Sequence, residues 1–352
     1  MKKSFQILIL GKGRIGKAIA YYLKENKAIS KVAFFSDRNN IQNFNLLIGA
    51  LPGKIGEKSL RLALREKKNL IDLADLENDF YLKQKRKAEK NKILVIPNCG
   101  FCPGLIDLIL GREISRSKKI EEVEVKVGTL SPKKFFFPFL WCFEDLIWEH
   151  QNPSWQIINS KKKKFLPFSG YQKDKFFGIE AETYFSQSGF ENFFPSLKTR
   201  NFKFRVIRPL GFAYFFQFLK KQGFLAKRNL EFTKRILENQ KEDNLTIAEI
   251  KILTAKRKII WNIKSFSRKS EKLNSMQKIT GLIPAVIAEF VLGNKIKKSG
   301  ILFTRAIAKG EDGRSSSTMK EIGRNEDVFQ EILRKLKKGG IFIKREEGSQ
   351  KG

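Results

Sequence analysis

The stretch FQILILGKGRIG at residues 5–16 decides the fold of the first part of the chain. The apolar run at residues 5–10 is typical of a parallel strand buried on both faces. Apolar residues then recur at helical spacing from Ile15 onward. Between a strand and a helix each glycine has a physical role. Gly11 permits a tight turn, Gly13 allows close approach of a ligand to the backbone, and Gly16 lets the helix pack on the strand.

A second strand is predicted at residues 31–36, and Asp37 follows it, 21 positions after Gly16. This pattern predicts a dinucleotide site, with the pyrophosphate at the helix N-terminus. A carboxylate at Asp37 favours NAD because it accepts the ribose hydroxyls and repels a 2′-phosphate. Arg38, Lys12 and Arg14 would instead suit NADP, so both cofactors stay open. The predicted cofactor-binding residues are Gly11, Gly13, Arg14, Ile15, Gly16, Asp37, Arg38, Ala50, Leu51, Pro52 and Asp72.

Strands and helices alternate through the first part of the chain, which predicts an α/β fold with an open, Rossmann-type parallel sheet at residues 1–104. Ligands of such sheets bind beyond the carboxyl ends of the strands. Further strands are predicted at residues 44–50, 69–74 and 93–96, with helices at 56–67 and 82–91. Residues 51–52, Asp72, Asp75 and residues 98–100 are therefore expected along one rim of the cofactor cleft.

The pattern changes after residue 120, which predicts a second, α+β domain for substrate binding and dimerisation at residues 105–275. Val123, Val125 and Val127 alternate with charged residues, as in a half-buried antiparallel strand. Aromatic segments at residues 202–207 and 212–219 also suggest strands. Residues 276–346 are predicted as a helical segment that returns to the first domain, with Pro284 in the first turn of a helix. A Gly- and Ser-rich loop is expected at residues 310–323, and a homodimer is the expected assembly.

The formal net charge is +34, from 70 Lys and Arg residues against 36 Asp and Glu residues. A charge-driven nucleic-acid binder is one interpretation, but no nucleic-acid motif accompanies the charge. Solvated surface lysines are therefore favoured, and no specific nucleic-acid partner is expected. Three cysteines argue against a disulfide framework. We expect a cytoplasmic protein with no membrane partner, since the start of the chain lacks a signal-peptide pattern and no stretch has roughly 18 uncharged apolar residues.

Several motifs together resemble the saccharopine dehydrogenase family, in its saccharopine reductase-like and carboxynorspermidine dehydrogenase-like branch. The glycine-rich loop, Asp72, and Cys99-Gly100 with Pro103-Gly104 match the family in order. Cys102 stands where that branch often has an aspartate. The likeness continues through WCFEDL at residues 141–146, NP at 152–153, RPLG at 208–211, TGLIPAV at 280–286 and KKSGI at 297–301.

The resemblance implies an NAD(P)-dependent oxidoreductase of amino-acid (lysine) metabolism. It would act on the CH–NH bond of a secondary amine, a saccharopine-like amino acid or a carboxylated polyamine, by hydride transfer to or from an imine. The proposed catalytic residues are Cys99, Asp72 and Asp75. The proposed substrate-binding residues are Cys102, Pro103, Gly104, Glu144 and Arg208.

Three alternatives remain open from the sequence. A dinucleotide-binding regulatory protein would keep the cofactor cleft without catalysis. Cys99 and Cys102 form a C-x-x-C pair that could be redox-active, because a helix N-terminus favours thiolate. These two cysteines, Cys142 and His150 could together ligate zinc. For these cysteines, a role in lining the cofactor cleft is favoured over redox activity and over zinc binding, and no metal is predicted.

Overall fold

The computed structural model describes residues 4–74, 76–117, 119–133, 137, 141–187, 199–238, 242–296, 299–302 and 326–349. The described part divides into two compact units. The first contains the described residues of 1–118 and 277–340, and the second those of 119–191, 198–276 and 341–352. The first unit thus extends past the sequence-based boundary at residue 104, because it includes a helix that begins at Leu105.

The first unit is a six-stranded parallel sheet with helices. Its strands are β1 (Phe5–Leu10), β2 (Ile29–Phe34), β3 (Leu46–Gly49), β4 (Asn69–Asp72), β5 (Leu94–Ile96) and β14 (Gly300–Ile301). Its helices are α1 (Arg14–Lys24), α2 (Glu57–Glu66), α3 (Asn78–Leu82), α4 (Lys85–Lys90), α5 (Leu105–Arg116), α9 (Ser275–Leu292, whose first two residues belong to the second unit) and α10 (Glu326–Lys338).

The strand order is β14-β5-β4-β3-β1-β2. The chain therefore reverses direction across the sheet between β1 and β3, the position where ligands of such sheets bind. Ile7, Leu8 and Ile9 are fully buried because β1 is covered on both faces. The α/β fold with a Rossmann-type sheet is confirmed.

The second unit is built on a nine-stranded mixed sheet. Its strands are β6 (Ile120–Leu130), β7 (Ser154–Ile158), β8 (Lys161–Phe165), β9 (Gln172–Phe176), β10 (Ile179–Phe185), β11 (Thr199–Pro209), β12 (Asn244–Leu253), β13 (Arg257–Ser267) and β15 (Phe342–Ser349). Its helices are α6 (Phe143–Gln151), α7 (Phe212–Lys221) and α8 (Leu230–Glu238). The order is β15-β13-β12-β6-β11-β10-β9, with β7 joining β11 to β8.

Several elements differ from the sequence-based expectations. Strand β2 ends at Phe34, so Asp37 lies three residues beyond it. The helix expected at residues 82–91 is two short helices, α3 and α4. The aromatic segment at residues 212–219 is helix α7 instead of a strand, because Phe212, Phe216 and Leu219 share one buried face at helical spacing.

The centre of the second sheet also corrects the sequence interpretation. Val123, Val125 and Val127 lie in β6, as predicted, but β6 pairs antiparallel with β12 and parallel with β11. β6 is an interior strand with a hydrogen-bonded neighbour on each side. The alternation of its residues does not reveal whether each neighbour is parallel or antiparallel. Strand β15, at the end of the described chain, pairs with β13 in the second unit.

Helix α9 begins earlier than the sequence suggested, so Pro284 lies inside it instead of in its first turn. Among the described residues, α9 is long and apolar enough to cross a membrane by length and composition, but 67% of it is buried inside the protein. It also carries Lys278 and Glu289. The segment at residues 310–323 lies outside the described residues.

Candidate active site

The glycine loop between β1 and α1 is tightly packed at Gly11 and Gly16 and open at Gly13. Gly11 has φ +120°, a conformation that side chains disfavour, and a Cβ there would overlap the Ala50 carbonyl. A Cβ on Gly16 would overlap the Gly11 carbonyl, so α1 packs directly on the loop. Gly13 is the N-cap of α1 and makes no side-chain cap. A Cβ on Gly13 would meet nothing within 4 Å, which leaves its surface open to a ligand.

The start of α1 can therefore hold an anion. No acidic residue lies in its first turn, and the helix N-terminus presents N–H groups and a partial positive charge. Arg14 and Ile15 in that turn are half-buried. The Arg14 carbonyl accepts a hydrogen bond from Gln277 Nε2 at 3.2 Å, which ties the turn to α9. These residues fit a dinucleotide pyrophosphate.

The residues after β2 form an exposed turn. The Ser36 N–H donates to Asn39 Oδ1 at 2.6 Å, and the Ser36 hydroxyl donates to the same oxygen at 3.1 Å. Asp37 and Arg38 lie inside this turn and are exposed. Because β2 ends at Phe34, Asp37 does not directly follow the strand, as predicted, but lies within this turn.

The end of β3 lies beside the glycine loop. The Ala50 N–H donates to the Leu10 carbonyl at 2.7 Å, which continues the pairing of β3 with β1. Ala50 and Leu51 are half-buried, and Pro52 is exposed. These three residues therefore lie at the reversal point of the sheet.

Asp72 ends β4 and is fully buried. Its Oδ2 accepts a hydrogen bond from the Tyr81 hydroxyl at 2.9 Å, and its Oδ1 accepts one from the Ala74 N–H at 3.3 Å. Burial outweighs these bonds and raises the pKa of Asp72 to about 7. This carboxyl can thus hold or release a proton near neutral pH. Asp75, its predicted companion, lies outside the described residues.

Cys99 is fully buried behind the end of β5. Its N–H donates to the Asp72 carbonyl at 2.9 Å, so the two candidates lie on adjacent backbone segments. Burial, and secondarily the Asp72 charge, raise the pKa of the Cys99 thiol far above its usual range. Cys99 is therefore a neutral thiol and not a thiolate.

The segment after Cys99 forms the N-terminus of α5. Cys102 and Pro103 are half-buried and joined by a cis peptide bond. Gly104 is the N-cap, with φ +139°, and its N–H donates to Asp107 Oδ2 at 2.6 Å. A Cβ on Gly104 would overlap the Gly100 carbonyl, so only glycine fits this turn.

Arg208 lies in the second unit, at the centre of a buried polar network. Its Nη2 donates to Glu149 Oε2 at 2.8 Å, its Nε to His150 Nε2 at 3.3 Å, and its Nη1 to the Ile207 carbonyl at 3.0 Å. The side chain is 2% exposed. The guanidinium lies 5.6 Å from the ring centre of Trp141, which is half-buried.

His150 is a neutral part of this network. Its Nδ1 faces the Leu146 carbonyl at 2.8 Å, and a carbonyl only accepts, so Nδ1 carries the proton. Its Nε2 then accepts from Arg208 and from the Tyr184 hydroxyl, which lies 2.9 Å away. Burial, and secondarily Arg208, lower the pKa of His150 well below its usual value. Both ring nitrogens are engaged, which leaves neither for a metal.

Glu144 begins α6 and is paired within the protein. Its Oε1 lies 2.8 Å from Lys234 Nζ on α8, and its Oε2 accepts from Cys142 Sγ at 3.2 Å. The pKa of Glu144 is lowered, chiefly by Lys234, against an opposing effect of burial. Among the described residues, no group of three or more His, Cys, Asp and Glu side chains is placed to hold a metal ion.

The sequence did not mark several residues that contact Asp72 or belong to the polar network around Arg208. Tyr81 on α3, Glu149 on α6 and Tyr184 on β10 had no motif to mark them. Glu182 was also missed; its carboxylate accepts the N–H groups of Gly211 and Ala213 at the start of α7, at 2.8 Å and 2.5 Å. The one available signal was the adjacent pair Glu149-His150 at the end of an amphipathic segment.

No protein-family model and no curated protein sequence matches the chain. Among solved structures, the chain is similar to apo histidine-tagged saccharopine dehydrogenase (L-Glu forming) from Saccharomyces cerevisiae. The TM-score is 0.75 at 14% identity, covering 98% of this chain and 100% of that one. It is also similar to C. glutamicum DAP dehydrogenase in complex with DAP, at TM-score 0.44 and 10% identity, covering 88% and 95%. The second likeness is too remote to support a conclusion. The first confirms the predicted resemblance at the level of the fold.

Proposed function

We propose that this chain is an NAD(P)-dependent oxidoreductase that acts on the CH–NH bond of a secondary amine carrying carboxylate groups. The observation that carries the proposal is the open Gly13 surface at the start of α1, beside the reversal point of the parallel sheet. The full-length likeness to the fold of a saccharopine dehydrogenase supports the same class.

A bound nicotinamide would accept or supply the hydride. The chain's own contribution is to bind the pyrophosphate at α1 and to hold a proton for the substrate nitrogen. Asp72 is the better supported of the acid–base candidates, since its pKa of about 7 lets it exchange a proton near neutral pH. The high pKa of Cys99 leaves it as a neutral lining group or weak donor.

Arg208 is the proposed partner of a substrate carboxylate. Its three internal hydrogen bonds use three of its five N–H donors, one on each nitrogen. Within the described part of the chain, Nη1 and Nη2 therefore each keep one donor, the pair that a carboxylate meets in a bidentate contact. The network with Glu149 and His150 holds the guanidinium in one orientation, which reduces the entropy lost on binding.

Cofactor binding is tested by titrating NADH and NADPH into the protein and following nicotinamide fluorescence. Wild type is expected to bind at least one of them. Gly13→Val should weaken binding at least tenfold, because the added side chain occupies the surface that the pyrophosphate would cover. Gly13 has φ −71° and ψ −170°, which valine adopts readily, so the variant should keep its melting temperature.

Gly348→Val is the matched control, since a Cβ there also meets nothing within 4 Å and the residue lies at the end of β15. If neither cofactor binds wild type, or Gly13→Val binds as wild type does, the oxidoreductase proposal fails. The same titration separates the cofactors: the Asp37 carboxylate favours NADH, whereas Arg38 favours NADPH. Binding without any turnover of amine and keto-acid mixtures would support the regulatory alternative.

The role of Arg208 is tested with Arg208→Lys, which keeps the charge beside Glu149 and loses the planar fork. The KM for a dicarboxylic secondary amine should rise roughly tenfold to a hundredfold, as expected for about 1.5–3 kcal/mol in a charge-assisted contact. Arg200→Lys on the same strand, an exposed residue, should leave KM unchanged. An unchanged KM in Arg208→Lys would remove Arg208 from the substrate site.

A further inference from the structure

Exposed apolar side chains concentrate in one segment of the second unit. Of the 17 large apolar residues that are exposed in the described part of the chain, seven lie between residues 210 and 236. They are Leu210, Tyr214, Phe215, Phe218, Phe224, Phe232 and Ile236. Exposed apolar residues scattered singly are ordinary, whereas their concentration in one segment of the chain points to an interaction surface.

Helix α7 is apolar on two faces. One face is buried in the second unit and includes Phe212 and Phe216, whose rings pack against His150 with centroids 5.1 Å away. The other face presents Tyr214, 80% exposed, and Phe218, 47% exposed, one helical turn apart. Helix α7 thus has apolar residues on its buried face and on its solvent-exposed face. The exposed face can bind a second apolar environment.

Helices α8 and α6 also carry exposed apolar side chains. Phe232 and Ile236 lie one turn apart on α8, and each is 54% exposed. Glu144 of α6 is ion paired with Lys234 of α8, which places these helices side by side. Trp148, one turn after Glu144, is 52% exposed. Tryptophan and tyrosine are enriched at membrane interfaces, and phenylalanine is common on the apolar face of helices that lie there.

Basic residues are interspersed with these aromatic side chains along the sequence. Residues 210–238 contain six Lys and Arg residues and two Glu residues. Lys220 and Lys221 end α7, and Lys227 and Arg228 lie in the turn before α8; all four are exposed. Among the described residues, none of these four makes an ion pair.

The charge of the chain decides between possible occupants. A second copy docked on this surface would place the same basic residues against those of the first, which opposes a dimer formed through this surface. An anionic lipid surface would attract each Lys and Arg and accept the aromatic side chains at the level of the headgroups. Charge complementarity therefore favours the lipid surface.

We propose that α7, the turn after it and α8 form a peripheral membrane-binding surface, which holds the second unit against anionic phospholipid headgroups. This departs from the sequence-based expectation of no membrane partner. It involves no membrane-spanning helix and is independent of the proposed oxidoreductase activity.

The test is co-sedimentation of the full chain with vesicles of phosphatidylcholine alone, and with vesicles of equal parts phosphatidylcholine and phosphatidylglycerol. Wild type should bind the mixed vesicles at least tenfold more tightly, and added salt should weaken that binding. Tyr214→Ser combined with Phe218→Ser should reduce binding at least tenfold. These substitutions leave the net charge unchanged, so the loss would report the aromatic contact itself.

Phe266→Ser is the matched control, an aromatic residue 41% exposed on β13 of the same unit. It should bind the mixed vesicles as wild type does, and circular dichroism should show that all variants are folded. No binding of wild type to mixed vesicles, or equal binding by the double variant and wild type, would overturn the proposal. A wild-type dimer that the double variant dissociates, without vesicle binding, would instead make this surface an interface between copies.

Discussion

At the scale of single residues, Asp72 shows how burial changes the chemistry of a side chain. Its carboxyl accepts hydrogen bonds from Tyr81 and from the backbone that follows it, yet desolvation dominates and raises its pKa to about 7. The sequence placed this aspartate at a strand end. It could not show that the side chain is fully buried, since that depends on α3 covering it.

We predict that Asp72 makes stability fall as pH rises. Between the ordinary aspartate pKa of about 3.9 and the folded-state pKa of about 7, the folded protein holds a proton that the unfolded chain has lost. The unfolding free energy contributed by this group therefore falls by up to about 1.4 kcal/mol per pH unit in that interval. Asp72→Asn should lose this slope and become more stable relative to wild type as pH rises.

Urea unfolding from about pH 4.5 to about pH 7.5 measures this difference. Asp79→Asn, at an exposed position on α3, should stay parallel to wild type across the same range. A difference between Asp72→Asn and wild type that does not change with pH would show that the carboxyl is already ionised in the folded protein.

At the scale of elements, the close packing of two helices depends on a glycine that no helical sequence pattern reveals. Gly281 of α9 lies against α1, where an added Cβ would come within 2.7 Å of Ala18 Cβ and 2.9 Å of its carbonyl carbon. The sequence suggested that the C-terminal segment returns to the first unit. The structure supplies the contact, because a glycine allows two helix backbones to approach.

We expect Gly281→Ala to lower the unfolding free energy by about 1–3 kcal/mol, since overpacking outweighs the roughly 1 kcal/mol that alanine adds in a helix. Combining it with Ala18→Gly should restore part of the loss by removing the nearest atom. Thermal and urea unfolding of the single and double variants test this. Additive effects of the two substitutions would rule out the predicted contact.

Helix α10 is attached to α5 by an ion-pair cluster. Glu326 Oε1 lies 2.9 Å from Arg112 Nη2, and Glu326 Oε2 lies 2.9 Å from Arg116 Nη2. The side chain of Arg112 is 7% exposed. Hydrogen bonding from Arg112 is the main cause that lowers the pKa of Glu326 to about 2. The cluster therefore contributes stability at neutral pH.

We predict that Glu326→Gln lowers the unfolding free energy at neutral pH by about 1–2 kcal/mol, because a largely buried arginine loses a charged partner. The pKa of Glu326 is depressed in the folded state, so its contribution is present above the ordinary glutamate value and is lost as pH falls toward 2. The gap between variant and wild type should close over that range. Glu57→Gln, in the exposed pair with Arg61, should change stability by less than ~0.5 kcal/mol.

At the scale of the whole molecule, the net charge of +34 dominates long-range electrostatics. Like charges repel in the compact state and less so in the expanded unfolded chain. We expect the melting temperature to rise when sodium chloride is raised from about 10 mM to about 150 mM, which shortens the screening length from ~30 Å to ~8 Å. Potassium chloride should act equally. A falling melting temperature would mean that ion pairs such as Arg112–Glu326 outweigh the repulsion.

The sequence predicted the first unit better than the second. Residues 5–16 alone indicated a strand, a glycine turn and a helix, because glycine positions and apolar spacing are local properties. The second unit was harder. Helix α7 looked like a strand because aromatic residues lie on both of its faces, and only its covered face follows helical spacing.

The candidate site likewise has features that the sequence could predict and features that it could not. The glycine loop and Asp72 were proposed as site residues from the sequence, since glycine positions and strand ends are local features of the chain. The protonation states of Asp72, Cys99 and His150 depend on burial and on distant neighbours. The Arg208 network joins α6, β10 and β11, which the chain brings together only on folding.

The amino-acid sequence by itself therefore determined the parallel sheet, the glycine turn and the basic character of the molecule, because spacing and composition act locally. Only the tertiary structure decided which polar side chains lose water, which carboxylate meets Arg208 and which aromatic residues remain exposed. Those properties arise from contacts between segments far apart in the chain, and the free energy of a charge depends on its surroundings more than on its neighbours in sequence.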